Sequence, residues 1–97
     1  MFARLTIVQV QVDKQDEATK IVQDSIMPAA KQQKGFRKAY MLTDQESGKG
    51  YFISVWDSKE DAIANEQSGY YKEQLLRVKD FFAAPPSQEG YEVVAEA

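Results

Sequence analysis

The largest side chain of the protein, Trp56, lies where an aromatic-rich strand meets the start of a helix, in the sequence GYFISVWDSKEDAI over residues 50–63. It is the only tryptophan in the chain. A tryptophan combines a broad apolar ring with one N–H donor. This corner could therefore anchor the strand against the helix, or it could form the wall of a pocket for an aromatic ligand.

The residue inventory restricts the chemistry that such a pocket could perform. The 97 residues include no cysteine and no histidine. The missing cysteine excludes disulfides, thiolate nucleophiles, iron–sulfur clusters and the common zinc sites. The missing histidine excludes Ser-His-Asp catalysis, most transition-metal sites and the usual proximal ligand of haem. Carboxylates, lysines, tyrosines and hydroxyls remain as reacting groups, and we expect no haem, flavin or metal cofactor.

The composition is that of an ordinary globular domain. The hydrophobic fraction is 43%, the charged fraction is 28% and the net charge is −3, which predicts one domain over residues 1–97. No apolar run approaches the roughly 20 residues that span a bilayer, and the start lacks a secretory signal, so we expect no membrane association. The absence of disulfides makes the cytoplasm the expected location. The basic cluster at residues 31–38 is interpreted as a solvated helix end, and we expect no nucleic-acid partner.

The hydrophobic pattern predicts an α+β fold with the element order β-α-β-β-α-(α)-β. This order is that of the ferredoxin-like split βαβ arrangement, a four-stranded antiparallel sheet with helices on one face. A polar, glycine-rich segment over residues 44–50 is expected to join the second and third strands as a hairpin. The strands are expected over residues 2–12, 36–43, 51–56 and 88–96.

Capping and breaking residues set the expected helix limits. Asp13 is expected to cap the first helix, and Pro28 is expected to kink or end it. Ser58 is expected to cap the second helix, which Ser68-Gly69 interrupts. A further helix is expected to run as far as Pro85-Pro86, with one apolar stripe facing the core. The residues of this stripe are Tyr71, Leu75, Val78 and Phe82.

The strands carry apolar residues on both faces. A sheet covered on one face should alternate apolar and polar residues, but in the first strand Leu5 and Ile7 have one parity and Val8 has the other. The helices of one chain suffice for only one face. Because a large exposed apolar face is rare in monomers, we expect a homodimer whose two sheets pack face to face across a two-fold axis.

Several motifs follow one another along the chain. Gly35-Phe36 opens the second strand, the run Val-Trp-Asp-Ser-Lys-Glu-Asp-Ala occupies residues 55–62, Tyr70-Tyr71 lies in the later helix, and Gly90-Tyr-Glu-Val-Val94 comes near the end. Together with the strand–helix start, this set resembles the dimeric α+β barrels related to the antibiotic biosynthesis monooxygenases. The resemblance spans nearly the whole chain and is more specific for the fold than for the reaction.

The resemblance implies a cofactor-independent monooxygenase acting on a small phenolic, quinol or polyketide-like aromatic. In such enzymes a deprotonated, electron-rich substrate reduces dioxygen itself, while the protein binds the ring, stabilises the anion and excludes water. The haem-degrading branch carries a histidine near residues 74–75, which this chain lacks. The implied catalytic residues are Trp56, Asn65, Tyr71 and Arg77, and the implied substrate-binding residues are Tyr70, Phe52 and Leu75.

Each implied catalytic residue also has a purely structural interpretation. Trp56 is typical of strand-end packing, and Tyr71 belongs to a stripe that is typical of a core. Asn65 is consistent with a solvated polar residue, and Arg77 is consistent with an ion pair to Glu73 on an exposed helix face.

Two classes of function therefore remain. The first is the cofactor-independent oxygenase, and the second is a non-catalytic homodimer that binds an apolar small molecule or has a stress-related role. A cavity with convergent polar groups around Trp56 would favour the first class. A region filled by Tyr71, Phe81 and Phe82 would favour the second.

Overall fold

The computed structural model covers residues 1–97 and shows a four-stranded antiparallel sheet with its helices packed on one face. This confirms the predicted ferredoxin-like α+β fold. The strand order is β2-β3-β1-β4, so that β1 and β3 are central and β2 and β4 form the edges. The strands are β1, Phe2–Val10; β2, Phe36–Thr43; β3, Lys49–Trp56; and β4, Phe82–Glu92.

The helical segments lie in two regions, one after β1 and one between β3 and β4. In the first region, α1 (Gln15–Ile21), a π-helical turn (Val22–Ile26) and α2 (Met27–Ala30) follow one another directly. In the second region, α3 (Lys59–Gln67) and α4 (Tyr70–Val78) are separated by Ser68 and Gly69, which confirms the predicted interruption. No helix has both the length and the apolar character needed to cross a membrane.

The predicted junction between the first strand and the first helix is wrong. Strand β1 ends at Val10 and not at residue 12, because Val12 and Asp13 belong to a short 3₁₀ turn that ends at Lys14. Helix α1 then begins at Gln15 without a side-chain cap, so Asp13 is not its N-cap.

Pro28 does not end the first helix. A proline has no N–H group, so the carbonyl of Asp24 cannot receive its usual helical hydrogen bond. The helix widens just before this position, where the N–H of Met27 donates to the carbonyl of Val22 in the i to i+5 pattern of a π turn. The chain then continues in helical form to Ala30. The proline is thus accommodated by a local change of hydrogen-bond register.

The largest correction concerns residues 79–96. Helix α4 ends at Val78, and Phe82 opens strand β4 instead of lying on the helical stripe. Pro85-Pro86 lies within this strand, at a shift in its register with β1. Prolines are tolerated there because β4 is an edge strand and an irregular pairing needs fewer N–H donors. The strand ends at Glu92, earlier than the predicted residue 96.

The two faces of the sheet differ because side chains alternate along each strand. In β1 the even-numbered residues from Phe2 to Val10 are all buried beneath the helices. The odd-numbered residues lie on the opposite face, where Leu5 is the partner of Ile53 in the ladder. This face, which we call the outer face, is apolar at its centre. Its apolar residues are Ala3, Leu5, Ile7, Tyr40, Leu42, Tyr51, Ile53, Val55 and Tyr91.

Gly48 is expected to be a sensitive position for stability. Its φ of 79° lies in the left-handed region, and a Cβ atom there would overlap the carbonyl oxygen of Val10. We expect Gly48→Ala to lower the free energy of unfolding by about 2 kcal/mol or more. The alanine would be strained in the left-handed conformation, and its Cβ atom would displace the end of β1. Gly69→Ala is the matched control, because Gly69 has a φ of 88° but open space around the Cβ position, and it should cost about 1 kcal/mol. Urea unfolding measures both, and equal losses would contradict the proposed overlap.

Candidate functional site

A cavity of ≈ 70 Å³ lies between the inner face of the sheet and the helices. This volume is several times the roughly 10–15 Å³ that one water molecule needs. Most of the wall is apolar, with aliphatic side chains from β1, the first helical region and α4. The aromatic side chains in the wall are Phe36, Phe52, Trp56, Tyr70, Tyr71 and Phe82.

Arg4 is the only charged side chain in this wall. It projects from the middle of β1 and is 3% exposed. Its guanidinium carbon lies 4.2 Å from the centroid of the Tyr71 ring and 5.1 Å from that of the Trp56 ring. Both distances are within the range of cation–π contacts. The cavity therefore contains a buried cation held against two aromatic rings.

Helix α3 supplies the hydrogen-bond acceptors that hold Arg4. Its Nη1 donates to the Ala62 carbonyl and to Glu66 Oε1, both at 3.3 Å. Its Nη2 donates to Asn65 Oδ1 at 3.0 Å. The Nε atom is buried and has no hydrogen-bond partner. Burial lowers the pKa of Arg4, and the nearby Glu66 carboxylate counteracts this only in part.

Trp56 is both a packing residue and part of the cavity wall. It is 1% exposed to the outside, and the Phe36 ring meets it edge-on with 5.7 Å between the ring centroids. Its Nε1 donates to Ser54 Oγ at 2.9 Å. Because this donor is already satisfied, Trp56 offers the cavity an aromatic surface and not a free N–H group.

Helix α4 contributes three polar side chains to the wall: Tyr70, Tyr71 and Gln74. The hydroxyls of Tyr71 and Thr6 lie 2.6 Å apart and share a hydrogen bond. The Tyr70 hydroxyl and Gln74 Oε1 are buried without a partner. Burial is the main cause that raises the pKa of both tyrosines, so they are neutral at physiological pH.

The structure brings most of the sequence-predicted site residues together. Those that line the cavity are Trp56, Tyr71, Tyr70, Phe52 and Leu75.

Asn65 and Arg77 do not line the cavity. Asn65 is buried behind Arg4, and its Nδ2 donates to Gln33 Oε1 at 3.1 Å. It is therefore not a solvated residue either. Arg77 lies on the exposed side of α4, with its Nη2 3.7 Å from Glu73 Oε1. This is the ion pair that the helical spacing suggested as the alternative.

Four polar residues of the cavity wall were not predicted from the sequence. They are Arg4, Thr6, Ser54 and Gln74. A signal for two of them was present. Arg4 and Thr6 share the parity of Phe2 and Val8, which face the core. Polar residues at core parity in a central strand indicate a buried polar site, because such groups are rarely buried without a partner.

Comparison with known families and curated proteins identifies relatives of the chain. A family model described as antibiotic biosynthesis monooxygenase matches residues 1–74. Uncharacterised proteins of two Mycobacterium tuberculosis strains, CDC 1551 / Oshkosh and ATCC 25618 / H37Rv, are each 28% identical to the chain over 99 residues. Each match covers 98% of this chain but 42% of the relative, so the chain spans less than half the length of these relatives.

Comparison with solved structures shows the same fold. A monooxygenase from Streptomyces coelicolor in complex with the ligand nanaomycin D has a TM-score of 0.81 at 12% identity, covering 99% of this chain and 89% of that one. A protein from Mycobacterium tuberculosis has a TM-score of 0.75 at 14% identity, covering 99% of this chain and 97% of that one. At these identities the similarity concerns the fold alone.

Alkaline pH is expected to destabilise the protein through Tyr70 and Tyr71. Burial raises their pKa in the folded chain, whereas an unfolded tyrosine ionises at about pH 10. Above that pH the unfolded state binds fewer protons than the folded state, so the free energy of unfolding should fall as the pH rises through the folded pKa. Urea unfolding between about pH 9 and 11 measures this dependence. Tyr71→Phe should make it shallower, and an unchanged slope would contradict the assignment.

Proposed function

The chain belongs to the antibiotic biosynthesis monooxygenase family, and we propose that it is a cofactor-independent monooxygenase of small phenolic or quinol-like aromatics. The observation that carries this proposal is the cavity around Trp56, in which aromatic walls and buried polar groups converge. The side chains of Tyr71, Phe81 and Phe82 do not fill this region. Tyr71 and Phe82 form part of the cavity wall, and Phe81 packs against the core cluster that contains Val78.

The size of the cavity favours a substrate with a single ring. Pockets for drug-sized ligands measure about 300–1,000 Å³, whereas this cavity measures ≈ 70 Å³. A fused polyketide would require the helices to move away from the sheet. A phenol or quinol of one ring needs a much smaller displacement, and we propose this class within the phenolic, quinol and polyketide-like range that the sequence implies.

The proposed reaction needs no redox group from the protein. A phenolate transfers one electron to dioxygen, and the resulting radical pair combines at a ring carbon to form a hydroperoxide. Loss of water then leaves a quinone, so that phenol and O₂ give quinone and H₂O. One oxygen atom enters the ring, the other leaves as water, and the substrate supplies all the electrons. The protein has to bind the ring, stabilise the anion and exclude water.

The wall residues have corresponding proposed roles. Trp56 and Tyr71 offer ring surfaces to the substrate, and Phe52 and Leu75 exclude water from it. Tyr70 offers a buried hydroxyl that has no partner within the protein.

We also propose that the protein is a homodimer that forms an α+β barrel through the outer face. The support is the apolar character of this face at its centre, together with the exposure of Tyr40 and Leu42, which are 52% and 50% exposed. A second copy of the same face would cover these side chains and leave the cavity on the far side of each sheet.

Oxygen uptake tests the proposed reaction. With a panel of single-ring phenols and quinols, we expect consumption of one O₂ per substrate oxidised, measured with an oxygen electrode and by product absorbance. Trp56→Phe should lower kcat/KM by about tenfold, because the ring surface against the substrate shrinks. Leu76→Ala, on the exposed side of α4, is the control and should keep full activity. Binding without oxygen uptake across the panel would support the non-catalytic homodimer instead.

The oligomeric state is tested by light scattering on a size-exclusion peak. We expect a mass of about twice the 11.0 kDa of one chain. Leu42→Glu should give the monomer, because a dimer would bury two unpaired carboxylates. Leu76→Glu is the matched control: Leu76 is 53% exposed but lies on the helical side, so this variant should remain dimeric. A wild-type mass of one chain at micromolar concentration would contradict the dimer.

A further inference from the structure

We propose that Arg4 is the anion-binding residue of the cavity, and that its Nε–H donates to a negatively charged oxygen of an aromatic ligand. This inference rests on the proposed function, because it assigns the group that stabilises the phenolate. Neither Asn65 nor Arg77, two of the catalytic residues that the resemblance implied, lines the cavity.

Arg4 has five N–H groups. Nη1 uses two of them and Nη2 uses one in hydrogen bonds to α3, so that Nε–H and one N–H of Nη2 remain for a ligand. Of these two nitrogens, Nε is buried and has no partner. A buried donor without a partner loses its hydration and gains nothing in return. An acceptor oxygen of a ligand would restore that hydrogen bond, and an anionic oxygen would make it a charge-assisted one.

The local charge favours an anion over a neutral acceptor. Arg4 is the only charged group in the wall, and its partner Glu66 has a side chain that is 30% exposed. Glu66 Oε1 also accepts from Gln88 Nε2 at 2.6 Å, so its charge is shared with another donor. The Glu66 carboxylate therefore compensates the positive charge of Arg4 only in part, and burial still lowers the pKa of Arg4.

The guanidinium is also fixed in position. The rings of Tyr71 and Trp56 contact it, and each ring is itself held by a hydrogen bond, to Thr6 and to Ser54 respectively. Asn65 is therefore a positioning residue, since it acts on a ligand only through Arg4. A donor that is already oriented loses little entropy when the ligand binds.

The chemical consequence is that the ligand binds as the phenolate and its proton passes to solvent water. The electron-rich anion is then the species that donates an electron to dioxygen. A cation at this position lowers the pKa of the bound phenol, because it stabilises the ionised form.

A nitrophenol provides a test, because it is electron-poor, so that it binds without being oxidised, and its absorbance reports its ionisation. We expect the pKa of 4-nitrophenol to fall by about one unit on binding, which is a tenfold preference for the anion. The neutral analogue 4-nitrotoluene should bind correspondingly more weakly at a pH where free nitrophenol is ionised. Arg4→Gln should abolish the preference, and Arg4→Lys, which keeps the charge, should retain part of it.

The wild-type measurement decides the proposal even if the variants do not fold, which thermal unfolding would show. Equal affinity for the two probes, or an unshifted pKa of the bound nitrophenol, would overturn the assignment of Arg4. Oxygen uptake is a separate result. Anion preference without uptake of oxygen by any phenol of the panel would leave Arg4 as the anion-binding residue and refute the oxygenase. Oxygen uptake without a preference for the anion would support the oxygenase and overturn the assignment of Arg4.

Discussion

The burial of one positive charge in an apolar layer constrains the whole inner side of this fold. An isolated guanidinium would be very costly to remove from water, so it must be paired and hydrogen-bonded where it is buried. Arg4 meets this requirement only because α3 crosses β1 at its level and presents the Ala62 carbonyl, Asn65 and Glu66 on one side. The position of α3 over the sheet is thereby tied to one residue of the central strand.

Because side chains alternate along β1, the inward position of Arg4 fixes which residues of this strand lie on the outer face. Arg4 faces the helices, and its neighbours Ala3 and Leu5 face the other way. A slip of one residue in the pairing of β1 would move the charge onto the apolar outer face and bring Leu5 beneath the helices. Both faces therefore specify the same register, one by its need to pair a charge and the other by its apolar surface.

The sequence predicts the fold well because the spacing of apolar residues distinguishes strands from helices within a few neighbouring residues. It fails between Val78 and Ser87, where Pro85-Pro86 is as compatible with an edge strand as with a helix end. The site is predicted less well, because a position on α4 does not reveal which side of the helix faces the sheet: Leu75 faces the cavity, but Arg77 does not. The parity of Arg4 in β1 indicates that it is buried, but its place in the site cannot be predicted locally, because its partners lie about sixty residues away, on α3.

The prolines of β4 have a consequence for how the sheet ends. An edge strand offers unpaired N–H and C=O groups to any passing strand, which is a common route to amyloid-like association. Two consecutive residues without N–H groups remove donors from this edge, and the register shift beside them interrupts its regular ladder. On the opposite edge, β2 carries the exposed charged side chains Arg37, which is paired with Asp57 at 3.0 Å, and Lys38. Charged side chains on an edge strand disfavour its pairing with a further strand. The outer face, through which we propose that the protein dimerises, is thus apolar, while the edges of the sheet resist the growth of a continuous sheet.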